Sequence, residues 1–142
     1  MVDFSSLLRK PAFEAKKPEV LPVSPNYLGI VTSFEVGESQ NDKKTPFVRF
    51  NGKFLAWADD IPEDERHCDI TKRSWRRDFY LTDEALFRLD EFLRALGVGS
   101  PGAQYEEIIP EVVGQQVKVS VKQYLNKRSN ELANETADIG AV

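Results

Sequence analysis

The sequence predicts a mainly β fold of the α+β kind: a five-stranded OB-like barrel with one amphipathic helix between strands 3 and 4. Three observations predict it. Apolar and polar residues alternate in residues 27–36, 46–57, 70–81 and 116–124, with a weaker repeat in 130–137. A helical stripe of Ala85, Leu86, Leu89, Phe92, Leu93 and Leu96 stands between the third and fourth of these segments. The order strand, strand, strand, helix, strand, strand is that of a five-stranded OB-type barrel.

Composition sets the outer bounds. The chain has 142 residues, 41% hydrophobic and 30% charged, which suits one globular domain with a core of its own. No apolar run reaches the roughly 18 residues of a membrane helix, and the N-terminus has no apolar signal region. One cysteine, Cys68, leaves no internal disulfide framework and fits a reducing compartment. The expectation is a cytoplasmic protein without membrane contact.

Residues 1–26 read as an extended N-terminal arm. Pro11, Pro18, Pro22 and Pro25 fix φ and remove backbone donors there, and Phe4, Leu7, Leu8 and Phe13 are its docking candidates. The barrel domain is expected over residues 27–139, with 140–142 frayed. In strand 1, Leu28, Ile30, Phe34 and Val36 share one parity, and Gly29 hints at a bulge. Residues 37–45 form a polar hairpin connector. In strand 2, Val48, Phe50, Phe54 and Ala56 share one face and Phe47, Arg49, Asn51, Lys53 and Trp57 the other, with Gly52 a second candidate bulge.

Charge is unevenly spread over the net −4. Residues 59–69 contain six acids and one arginine, whereas 70–81 contain Lys72, Arg73, Arg76 and Arg77 against Asp78 alone. In strand 3, Trp75, Phe79 and Leu81 share the inward parity and Lys72, Arg76 and Tyr80 the outward one. Arg77 falls on the apolar side, and a one-residue slip would exchange the faces.

The helix is bounded on both sides. Thr82 is its cap, Asp83 and Glu84 sit where the helix dipole favours negative charge, and Gly97 stops it. A short helical turn is expected within residues 105–113. In strand 4, Val117, Val119 and Val121 alternate with Lys118, Ser120 and Lys122.

No enzyme constellation is apparent, and no catalytic residue is predicted. His67 and Cys68 are adjacent, so on an extended chain they point apart and do not pair as nucleophile and base. Phosphate-binding glycine motifs are absent. Asp59, Asp60, Asp64 and Asp69 are the only metal candidates, and their spacing is not that of a calcium loop. Neither a metal nor another cofactor is expected.

What remains is a surface suited to a single-stranded polyanion, which needs cations along the phosphates and rings for the bases. The candidate residues are Arg49, Lys53, Trp57, Lys72, Arg76 and Tyr80 from strands 2 and 3, extended by Lys118 and Lys122 from strand 4. The alternative is that Trp57 or Tyr80 packs under the acidic loop and the cations are ordinary solvated surface.

Three blocks also carry a resemblance. They are residues 27–36 with the Ser-Gln-Asn-Asp-Lys-Lys-Thr-Pro run and Val48-Arg49-Phe50; Phe79-Tyr80-Leu81-Thr82 leading to Leu89-Asp90-Glu91-Phe92-Leu93 and Leu96-Gly97-Val98; and Ile109-Pro110 with residues 113–119. Over about residues 20–135 the chain resembles a family of small phage and prophage proteins associated with replication and recombination genes. The resemblance implies an OB-like single-stranded-DNA-binding protein acting without catalysis, with replication or recombination proteins as further partners. It transfers no binding residues. Residues 136–142 contain one acid, so they do not match the acidic partner-recruiting tail of many single-strand-binding proteins. The rival expectation is a structural or adaptor protein, such as a virion component, binding protein through its arm and sheet edges.

Overall fold

Extended segments of β-branched and aromatic residues pair here into one antiparallel sheet, because each buries one face and needs neighbours for its backbone groups. The computed structural model describes residues 19–40 and 43–142. The strands are β1 (Ser24–Glu38), β2 (Pro46–Ala56), β3 (Ser74–Tyr80), β4 (Gln116–Asn126) and β5 (Glu131–Ala141). Their order in the sheet is β3-β2-β1-β4-β5. Helix α1 (Leu86–Leu96) and the short α2 (Tyr105–Ile108) lie between β3 and β4. The protein is therefore mainly β, with a five-stranded antiparallel sheet and few helices. No hydrogen-bonded ladder joins β3 to β5, so the sheet stops short of a closed barrel.

Phase changes along β1 explain where simple alternation fails. Tyr27 and Val31 are buried, while Val36 is 67% exposed, so the expected parity does not hold along the whole strand. Opposite β2, the register shifts between Val31 and Ser33, leaving Thr32 as the extra residue. Beyond that bulge Phe34 packs against the core. A second shift between Leu28 and Gly29 leaves Leu55 as the extra residue in β2.

Gly52 is not a bulge. It pairs with Trp75 in an unbroken β2–β3 ladder from Phe47↔Tyr80 to Lys53↔Ser74. Its lack of a side chain makes room for the indole instead.

The core joins Val48, Phe50 and Phe54 of β2 to Trp75 and Phe79 of β3, the three valines of β4, and Leu89, Phe92 and Leu93 of α1. Phe79 stacks on Phe92 with centroids 5.4 Å apart, and Phe50 meets both rings. The α1 stripe is thus core, as its spacing predicts. The helix starts later than expected: Ala85 is at the cap position, and Asp83 and Glu84 precede the first helical turn, in a turn where Thr82 Oγ1 accepts the Ala85 N–H. Gly97 adopts the left-handed conformation at φ 71° that ends the helix.

Strand boundaries also differ from the expected ones. The first strand begins at Ser24, and Leu21 is already in the core, so the chain is docked before residue 27. Leu21 N–H donates to Asn134 Oδ1, and the Asn134 and Gln123 amides both donate to the Leu21 carbonyl. Residues 70–72 form a 3-10 turn instead of strand, because the Asp69 carboxylate accepts from Thr71 N and Oγ1 and closes the chain on itself. At the other end, Gly140 and Ala141 pair with Lys118 and Val117, so the last strand is longer than the alternation indicates and 140–141 are not frayed. The docking candidates Phe4, Leu7, Leu8 and Phe13 lie outside the described residues.

Candidate functional site

An open groove of about 760 Å³ runs beside β3, between the β2–β3 hairpin and the β4–β5 hairpin. Its existence follows from the missing β3–β5 ladder. Where two edge strands face each other without pairing, a cleft is left along the seam.

The β2–β3 side carries the cations. Lys53, Arg73, Arg76 and Arg77 all line the groove. Arg73 donates to the Glu19 carbonyl at 2.9 Å, and Arg77 donates to the Asp78 carbonyl at 2.6 Å. Arg77 remains on the apolar parity, with its guanidinium 4.8 Å from the Phe79 centroid and Nε 3.5 Å from Asp138 of β5. It thus spans the seam. Among the described residues, the side chains of Lys53 and Arg76 have no hydrogen-bond or ion-pair partner, and both are exposed.

Aromatic surface is close by. Trp75 forms part of the lining, only 5% exposed, with its Nε1–H donating to the Lys53 carbonyl at 3.1 Å. Tyr80 is 43% exposed toward the far end of the same strand, and Tyr124 of β4 is 44% exposed on the opposite side. The β4–β5 side contributes Val121, Asn134, Glu135 and Thr136 as well, and no cation.

Of the eight residues expected at a binding face, the groove brings together Lys53, Arg76 and Tyr80. Arg49 is near it but committed elsewhere. Its Nε and Nη2 donate to the two Asp78 carboxylate oxygens at 2.7 and 3.0 Å, and Glu35 lies 3.6 Å from Nη1. The Asp78 hydrogen bond raises the Arg49 pKa above its ordinary value. Such a bidentate, doubly countered guanidinium is a poor phosphate ligand.

Trp57 is displaced altogether, because β2 ends at Ala56. Its Nε1–H donates to the Cys68 carbonyl at 3.3 Å, and its ring packs between Tyr27 and His67. Lys72 is exposed in the 3-10 turn and does not line the groove. Lys118 and Lys122 are exposed on β4, also outside the groove lining.

Arg73, Arg77, Trp75 and Tyr124 were not among the expected site residues. The basic run marked the first two, but parity assigned neither to an open face. Tyr124 carries no local signal, since only the meeting of the two hairpins brings it to the groove.

The acidic loop is used for structure. Asp60 accepts from Ser24 Oγ at 2.7 Å, and Asp69 caps the following turn, its carboxyl held below the ordinary range chiefly by the Thr71 hydroxyl. None of its acids lines the groove. Among the described residues, no group of three or more His, Cys, Asp or Glu side chains is placed to hold a metal ion. No helix of the described residues is long and apolar enough to cross a membrane. A scan against protein-family models matches none of them, and a search of curated proteins gives no match.

Proposed function

We propose that this chain is a single-stranded-DNA-binding protein that acts without catalysis, serving phage-type DNA replication or recombination. The observation that carries the reading is the groove, whose lining holds the unpaired cations Lys53 and Arg76 together with the half-exposed ring of Tyr80. Cations that track phosphates and rings that stack on bases are the two components of sequence-tolerant single-strand binding.

The architecture supports it in a coarser way. With β1 between β2 and β4, and the helix between β3 and β4, the sheet has the strand neighbours of an OB barrel lacking its last ladder. The replication or recombination setting rests on the sequence resemblance alone.

The test is a fluorescence-anisotropy titration with labelled single- and double-stranded oligonucleotides across a salt series. Tight single-strand binding that weakens steeply with ionic strength is the expected result. No binding at low salt, together with stable association with a capsid or tail protein, would replace this reading with a structural or adaptor role.

A further inference from the structure

The two sides of the groove differ in chemistry. The β2–β3 side holds Lys53, Arg73, Arg76 and Arg77, with Asp78 already engaged by Arg49. The β4–β5 side holds Tyr124, Glu135 and uncharged groups. A phosphate chain is drawn to the first side, because the lining of the second offers it no cation. The half-exposed ring of Tyr124 offers a flat face with no charge to compete for. The lining is also fixed in place: Trp75 is buried, and Asn134 is held to Leu21 and to the Lys122 carbonyl.

We infer that the groove binds one nucleic-acid strand with its phosphates against the β2–β3 side and a base stacked on Tyr124 of the β4–β5 hairpin. This rests on the single-strand reading and goes further by naming what is recognised. The ligand is a strand with unpaired bases, so a polyanion without bases and a duplex with stacked bases are both poor ligands. Tyr124 is then a base-contacting residue, and Arg76 a phosphate-contacting one.

The test compares a thymidine oligonucleotide with an abasic oligonucleotide of equal length, using wild type, Tyr124→Ala, Tyr124→Phe and Arg76→Ala. Tyr124→Ala should weaken thymidine binding on the order of 5- to 150-fold and leave abasic binding unchanged. Tyr124→Phe, which keeps the ring, should bind like wild type. Arg76→Ala should weaken both ligands equally and lower the salt slope by about 0.7, the share of one phosphate contact on a single strand. The inference is overturned if Tyr124→Ala binds thymidine like wild type, or loses affinity equally for both ligands. It is overturned too if wild type binds both ligands equally well. Wild type that binds neither oligonucleotide overturns the single-strand reading itself. Circular dichroism melting of each variant separates lost binding from lost folding.

Discussion

The indole of Trp75 occupies the space that Gly52 leaves empty on the neighbouring strand. A methyl group built at Gly52 would fall on the Trp75 ring and on the Ile30 carbonyl oxygen. Gly29 of β1 completes the slot, where an added Cβ would lie 2.6 Å from Trp75 Nε1 and 2.8 Å from Val119. Two glycines on adjacent strands thus admit one tryptophan, which then lines the groove.

Gly52→Ala is therefore expected to destabilise the fold. Overpacking of this kind costs about 1–3 kcal/mol, because the obstacle includes a backbone oxygen that cannot rotate aside. Thermal or urea unfolding measures it, and unchanged stability would mean that the slot is not closed.

Arg49 and Arg76 should separate in their effects although both lie on the outer face. Arg49→Gln removes a bidentate contact to Asp78 whose partners are about one quarter exposed, with an expected loss of up to ~1 kcal/mol. It should leave the salt dependence of DNA binding unchanged. Arg76→Gln should do the reverse, lowering the salt slope by about 0.7 at constant stability. Urea titrations paired with binding isotherms at several salt concentrations distinguish the two.

Tyr27 makes stability sensitive to alkaline pH. Burial first, then the negative charges of Asp60, Cys68 and Glu65, raise its pKa from 10.0 to about 12. The folded state therefore holds the proton more tightly than the unfolded chain. Tyr27 contributes fully below about pH 10, and its contribution is lost as pH rises through about 12. Tyr105, bonded to Asp90, is also raised and adds to the same trend. Tyr27→Phe should flatten part of this alkaline loss. It should cost about 1 kcal/mol at neutral pH, because the Pro22 carbonyl loses the 2.7 Å donor it now has. Unfolding midpoints from about pH 7 to about pH 12 check both parts.

Arg77→Ala is expected to cost more stability than Arg76→Ala. The Arg77 stem and guanidinium cover Phe79, and its Nε faces Asp138 across the seam. Losing that cover should cost about 1–2 kcal/mol. Arg77→Met, which keeps the aliphatic bulk, should recover part of it. Melting curves of the three variants decide the order.

The sequence carries its local patterns faithfully and its long-range ones poorly. Val117, Val119 and Val121 are buried as their alternation indicates, Trp75 and Phe79 face inward together, and Gly97 ends the helix. These depend on period and on single-residue conformational preference. Trp57 and Lys72 lie away from the groove because strand period does not extend past the end of β2 or into a 3-10 turn. Arg49 is engaged by Asp78 and Glu35 for a different reason. Whether a cation is free depends on its cross-strand neighbour, and the Arg49↔Asp78 register is set by the whole hairpin. Tyr124 depends on more still, since its place in the groove lining exists only once β4–β5 lies opposite β3.

The missing ladder between β3 and β5 has a kinetic consequence. β1 has a paired neighbour on both sides over residues 28–30, whereas β3 is paired only to β2 and β5 only to β4. In deuterated solvent, amides on the unpaired borders of β3 and β5 should exchange orders of magnitude sooner than those of central β1. A strand seated in the groove would shield these borders, so slower deuterium uptake confined to residues 74–80 and 131–141 would trace the bound ligand along the seam.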